Sequence, residues 1–150
     1  YLLDLHGGAD DGYASSDALC NALQVLNHLQ DAKADYLELG RVYLPADWMA
    51  EAGASVEGLR GDRITPELRA VYARMLGATD TLLDGAGALT GNLASSRLAM
   101  EAGAILHIAQ ILSGELARHD PFAGRVRLNK LQNLRACSIG AGKAVLGRWR

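Results

Sequence analysis

Two aspartates, Asp31 and Asp35, stand one helical turn apart in the run Gln24-Val-Leu-Asn-His-Leu-Gln-Asp-Ala-Lys-Ala-Asp-Tyr36. At about 100° per residue, Gln24, Asn27, His28, Asp31 and Asp35 share an arc of roughly 100°. Leu19, Ala22, Val25, Leu26 and Leu29 fill the opposite side. Short oxygen-bearing side chains fixed on one helix suit a hard cation such as Mg²⁺, which takes one or two carboxylates and keeps much of its water. A partly solvated helix whose polar residues merely align gives the same stripe, and the pattern alone does not choose between them. Lys33, the one lysine in the segment, is expected to point elsewhere. His28 would suit Zn²⁺ better than Mg²⁺; no Cys or second His accompanies it, so a packed boundary histidine is expected.

The elements that must position this stripe read as helices. Ser15-Ser16-Asp17 offers N-cap residues for a helix to about Leu39, with Gly40 at the position of a C-terminal glycine and Pro45 barring continuation. A short helix is expected at Asp47–Ala52, then a charged loop over 54–64. Thr65-Pro66-Glu67 starts the next helix: a capping hydroxyl, a proline in the first turn, and an acid at the positive end of the dipole. Leu68, Val71, Tyr72, Met75, Leu76 and Leu82 keep core spacing in it, to about Leu89. A further helix spans about Leu93–Arg118, Pro121 turns the chain, and a last helix covers about Asn129–Leu146. Small residues at Gly103, Ala104 and Ala109 would leave room for an apolar cavity between helices. His107 is expected in the core or a cavity wall. The fold class is all-α, a bundle of long antiparallel helices.

Bulk properties set the limits. The 150 residues suffice for one domain. They are 49% apolar and 21% charged, with a net charge of −2, so no general attraction to nucleic acid is implied. Cys20 and Cys137 form neither a metal pattern nor a disulfide framework. No apolar run is long enough to span a bilayer and no signal peptide is visible. The opening Tyr1-Leu-Leu-Asp-Leu-His6 reads as the tail of a helix ended by Gly7-Gly8, hence as part of a longer protein.

The stripe and the residues just after it resemble the squalene/phytoene synthase family. Members share an aspartate-rich motif Gln-x-x-Asn-x-x-(Arg)-Asp-x-x-(Glu)-Asp, followed closely by Gly-Arg-x-Tyr-Leu-Pro. Here these read Gln24-Val-Leu-Asn27-His-Leu-Gln30-Asp31-Ala-Lys-Ala34-Asp35 and Gly40-Arg41-Val-Tyr43-Leu44-Pro45. Asn27-His-Leu-Gln-Asp31, Asp35-Tyr36 and Leu3-Asp-Leu-His-Gly7 are similar to the hydroxysqualene synthase branch of bacterial hopanoid biosynthesis. A weaker likeness runs through Asp120-Pro-Phe-Ala-Gly-Arg125-Val126 to Lys130. On this reading residues 1–150 are the C-terminal half only, a partial helical bundle of the isoprenoid synthase type. Gln30 in place of the frequent Arg and Ala34 in place of the frequent Glu are departures that fit a specialised branch.

The resemblance implies roles. Asp31 and Asp35, with Asn27, would bind Mg²⁺ bridging to a prenyl diphosphate substrate. Gln24 would be a ligand or hold the carboxylates. Arg41 would pair with phosphate oxygens, with an ion pair to Glu38 or Asp47 as the open alternative. Tyr43 would line the prenyl cavity or donate to phosphate, or simply anchor the core. Arg125 and Lys130 would sit at the diphosphate end of the pocket, or belong with Arg127 to a solvated basic face. The implied activity is conversion of presqualene diphosphate to hydroxysqualene. Its alternatives are presqualene diphosphate or phytoene synthesis, or a non-catalytic assembly factor of the same fold. The implied setting is cytoplasmic or peripheral at the inner membrane, among pathway enzymes, with no nucleic acid partner. The 150 residues alone are expected to be inactive and, through exposed apolar helix faces, prone to association.

Overall fold

The computed structural model describes residues 12–147. The expected helix tail at Tyr1–His6 and its Gly7-Gly8 end lie outside these residues. Among the described residues are six α-helices and one 3₁₀ turn, in the order α1 Gly12–Leu39, α2 Ala46–Ala52, the 3₁₀ turn Val56–Arg60, α3 Pro66–Ala86, α4 Leu89–Asn92, α5 Ser96–Arg118 and α6 Lys130–Gly147. The all-α architecture is as expected.

Helix α1 is already formed at Gly12, so Ser15-Ser16-Asp17 lie within it and do not cap it; Ser15 is buried. Its C-terminus follows the sequence. Gly40 takes φ +65°, and two N–H groups turn back onto the helix: Gly40 onto the Tyr36 carbonyl at 3.1 Å and Arg41 onto the Asp35 carbonyl at 3.2 Å. Only glycine enters this left-handed conformation without a steric cost. The turn therefore ties the Gly40–Pro45 segment directly to Asp35.

Helix α3 starts as predicted: the Thr65 hydroxyl accepts the Leu68 N–H and Pro66 occupies the first turn. It stops at Ala86 rather than Leu89, and α4 is a separate single turn. The loop expected at 54–64 contains the 3₁₀ turn, and α5 begins at Ser96, capped by Ser95, with Leu93 extended before it. Helix α6 opens with a reciprocal cap. Asn129 Oδ1 accepts the Gln132 N–H at 2.8 Å, and Gln132 Oε1 accepts the Asn129 N–H at 2.9 Å.

The core lies between α1, α3 and α5. Leu19, Leu26 and Leu29 of α1 meet Leu68, Val71, Tyr72 and Leu83 of α3. Tyr72 is fully buried; its hydroxyl donates to the Leu29 carbonyl at 3.2 Å and its ring meets Phe122 edge-on at 6.0 Å. Burial pushes its phenol well above the ordinary tyrosine range. Ser113 of α5 donates to Asp80 of α3 at 2.6 Å.

Helix α6 packs chiefly on α5, through small residues. A Cβ on Gly103 would lie 2.7 Å from the Gly140 carbonyl oxygen, and one on Gly140 would run into the Gly103 backbone. Gly103 and Ala104 are thus helix-contact positions, and beside the crossing the room expected for a cavity amounts to a recess of about 210 Å³ lined by Gly103, Leu106, His107 and Gly140. Met75 is buried, but Met100 is exposed. The outer side of α6 carries exposed Leu131, Leu134 and Leu146.

Gly140→Ala should lower stability by about 1–3 kcal/mol, because backbone rather than a flexible side chain must yield. Gly142→Ala, with nothing within 4 Å, should be neutral or slightly stabilising. Thermal unfolding of the two variants checks this; equal effects would refute the close crossing.

Candidate functional site

On α1 the buried residues Leu19, Ala22, Leu26 and Leu29 point toward α3 and α5, so the stripe of Gln24, Asn27, Asp31 and Asp35 lies on the opposite, open side. Two connecting segments flank it: Tyr43 of Gly40–Pro45 stacks on His28, and Arg125 of Asp120–Arg127 reaches Asp31. Gln24 and Asn27 are exposed; Asp31 and Asp35 are half-buried.

The second flank is held by α1 itself. Gln30 Nε2 donates to the Val126 carbonyl at 2.5 Å. Lys33 Nζ donates to the Phe122 carbonyl and to Asp62 Oδ1, each at 3.3 Å. Arg125 Nη2 donates to Asp31 Oδ2 at 2.9 Å. Lys33 therefore reaches toward this segment and Asp62 rather than toward the stripe, as expected. A recess of about 270 Å³ opens here, lined among others by Asp31, Lys33, Ala34, Glu38 and Arg125.

Asp120 fixes the start of the segment. Its carboxylate accepts the Phe122 N–H at 2.9 Å and the Ile64 N–H at 3.2 Å. Burial pushes its pKa up, but hydrogen bonds from the Phe122, Ile64 and Ala123 backbone and the Arg69 charge outweigh this and hold it below the usual carboxylate value. Arg69 in turn donates to the His119 and Leu116 carbonyls at the end of α5.

On the first flank, His28 and Tyr43 stack with ring centroids 3.9 Å apart and planes 17° apart. The histidine is thus a packed boundary residue, and Tyr43 is half-buried against it. Arg41 is exposed and makes no side-chain pair among the described residues, so neither Glu38 nor Asp47 engages it. Asp35 likewise has no side-chain partner among them. His107 is half-buried, at 3.3 Å from Gln110 Oε1, beside the Gly103–Gly140 crossing.

The predicted residues are thus partly united. Asp31 and Arg125 are in contact, and Gln24 and Asn27 continue the same side of α1 along a second recess of about 410 Å³. Lys130 is exposed at the start of α6 and lines neither recess. Sequence reasoning missed Gln30, Lys33, Asp120 and Arg63. The Asp120-Pro121-Phe122 step did carry a signal, an aspartate able to accept the N–H two residues on. Arg63 joins His119, Arg125 and Arg127 around a larger groove of about 500 Å³.

The donors fit Mg²⁺ by type. Asp31, Asp35, Asn27 and Gln24 offer only oxygen ligands, and Mg²⁺ is commonly held by one or two carboxylates plus substrate phosphate and water. They do not make an all-protein cage: the described residues contain no group of three or more His, Cys, Asp or Glu side chains able to enclose an ion. No helix among them is long and apolar enough to cross a membrane.

A family model described as squalene/phytoene synthase matches residues 1–132. The chain belongs to the squalene/phytoene synthase family. It is 37% identical over 134 residues to a hydroxysqualene synthase of Sinorhizobium fredii, covering 89% of this chain and 46% of that protein. It is 37% identical over 141 residues to a hydroxysqualene synthase of Rhodopseudomonas palustris, covering 94% and 48%. In three dimensions it is similar to the crystal structure of squalene synthase HpnC from Alicyclobacillus acidocaldarius, with TM-score 0.71, 30% identity, and coverage of 78% of this chain and 44% of that one. The chain spans about half the length of the curated relatives it matches. The expectation of a likeness to a C-terminal half only is corrected by the coverage, which runs over 85–94% of this chain.

The Asp120 anchor predicts a pH signature. Asp120→Ala should cost about 1–3 kcal/mol near neutral pH, from lost charge-assisted hydrogen bonds. A carboxyl lowered in the folded state stabilises above its unfolded pKa of about 3.9, and that contribution fades as pH falls through the folded value. The stability gap between wild type and variant, measured by urea denaturation, should therefore close below about pH 4. A gap independent of pH would refute the charged anchor.

Proposed function

We propose that the protein carries out isoprenoid diphosphate chemistry and that its reaction is the conversion of presqualene diphosphate to hydroxysqualene, with release of diphosphate. The observation that carries this reading is the pair Asp31 and Asp35 on the open side of α1, with Arg41 beyond the C-terminal turn on one flank and Arg125 on the other. The 37% identity to two hydroxysqualene synthases supports the branch.

Asp31 and Asp35, assisted by Asn27 and Gln24, would hold Mg²⁺, which when bound supplies charge neutralisation for a departing diphosphate. The guanidiniums of Arg41 and Arg125 would grip phosphate oxygens, where a planar fork of donors matches two oxygens at once. Tyr43, its ring fixed on His28, would present its hydroxyl or its face to the substrate. In the reaction the carbon–oxygen bond to diphosphate breaks and diphosphate leaves with the electron pair. The cyclopropylcarbinyl cation rearranges, water adds through its oxygen, and the added water gives up a proton. No hydride donor is required, unlike reduction to squalene. Two carboxylates on an open helix face exclude little water, so the 150 residues alone should turn over slowly.

Full-length protein supplied with presqualene diphosphate and Mg²⁺ should yield hydroxysqualene, identified by chromatography and mass spectrometry. Asp31→Asn should reduce turnover by at least about a hundredfold while leaving the fold intact. Phytoene from geranylgeranyl diphosphate, or presqualene diphosphate from farnesyl diphosphate, would move the protein to another branch. No turnover of any prenyl diphosphate would favour the non-catalytic assembly role.

A further inference from the structure

We propose that Arg125 is a resident counter-ion of Asp31: its charge and hydrogen bond compete with a metal ion for the carboxylate, and a diphosphate draws it away, so that metal and diphosphate bind as a coupled pair. This rests on the assignment of Asp31 to a metal site.

The geometry supplies both halves of the exchange. Arg125 Nη2 sits 2.9 Å from Asp31 Oδ2, so a cation approaching the carboxylate competes with the guanidinium's hydrogen bond and meets its like charge. The pair is loose enough to part, with 48% of the arginine side chain and 26% of the aspartate side chain exposed. Such partly solvated pairs contribute little stability. The backbone around Arg125 is meanwhile held by contacts that do not involve its side chain. Val126 is bonded to Gln30, Phe122 to Lys33, and Asp120 to the Ile64 and Phe122 N–H groups. The guanidinium can therefore swing while its anchor stays in place.

It also has somewhere to go. Arg125 lines both the Asp31 recess and the larger groove that contains Arg63 and Arg127. Lys33 is engaged by Asp62, and the groove's one carboxylate beside Asp120, Glu115, is already paired with Arg118 and His119, whereas Arg63 and Arg127 have no side-chain partner among the described residues. A diphosphate over this edge would meet several donors and would take Arg125 bidentately, as its single bond to Asp31 does not. Releasing Asp31 then favours the metal, and by linkage the metal favours the diphosphate to the same degree. Carboxylate and cation are kept neutralised by each other until the substrate's charged end replaces both partners.

The test uses full-length protein, Mn²⁺ as the metal probe read by electron paramagnetic resonance, and inorganic pyrophosphate as the anion. Arg125→Gln should bind Mn²⁺ alone about fivefold more tightly than wild type, the upper range for release from one partly exposed pair. It should also lose most of the pyrophosphate-induced gain that wild type shows. Arg125→Lys should lie between them, keeping the charge without the fork. Arg127→Gln removes a neighbouring charge that does not touch Asp31 and should tighten Mn²⁺ much less. Asp31→Asn tests the underlying assignment. If it leaves Mn²⁺ binding unchanged, the metal site is misplaced and the counter-ion role falls with it. If Mn²⁺ binding depends on Asp31 yet Arg125→Gln matches wild type, or Arg127→Gln tightens binding equally, the exchange is wrong while the metal site stands.

Discussion

The grip of α1 on the segment Asp120–Arg127 determines what the open side of that helix can do. Gln30 and Lys33 bond to backbone carbonyls of the segment, and Asp120 receives the N–H of the residue two positions on. None of these contacts is strong in isolation, since each exchanges a bond to water for one within the protein. Together they leave Arg125 little backbone freedom and place its guanidinium on Asp31. The Gln30 departure from the family motif acquires a role here: an amide in the arginine's place donates to the Val126 carbonyl. Ala34, the other departure, lines the recess without a charge, so the carboxylates available there are Asp31 and, one turn beyond Ala34, Glu38.

Apolar packing sets the frame for these polar contacts. The α1–α3 interface buries Tyr72 completely and uses its hydroxyl to satisfy the Leu29 carbonyl, which fixes the helix two residues before Asp31. Phe122 joins that ring from the loop, so the same aromatic contact that closes the core also seats the loop carrying Arg125. At the far side Gly103 and Gly140 let α5 and α6 approach through their backbones. The α5–α6 contact narrows the space there to a recess of about 210 Å³, and larger recesses open along α1 and around Arg63 and Arg127.

Much of the fold was legible because local chemistry and global structure agree at the helix ends. Thr65-Pro66, Gly40 and Asn129 act at the positions their types suggest, and each has a local partner within a few residues. Ser15-Ser16-Asp17 misled because capping residues are also tolerated within a helix when the chain before them is already helical. At the site, the stripe on α1 could be read from periodicity alone. Its surroundings could not: Arg125 lies 94 residues from Asp31, and Val126 lies 96 from Gln30, separations at which no local pattern reports a contact. The stacking of His28 on Tyr43 was similarly hidden, although the absence of companion ligands already pointed away from a metal role.

The central claim is that Asp31 and Asp35 present a metal ion to a diphosphate on the open side of α1. Its most direct test is a crystal structure of the full-length protein with Mn²⁺ and a non-hydrolysable prenyl thiodiphosphate, using anomalous scattering to locate the metal. The account predicts an anomalous peak at about 2.0–2.3 Å from carboxylate oxygens of Asp31 and Asp35, bridged to the diphosphate, with the Arg125 guanidinium on phosphate oxygens and off Asp31. Metal density elsewhere, with Asp31 still paired to Arg125 and the diphosphate away from α1, would contradict it.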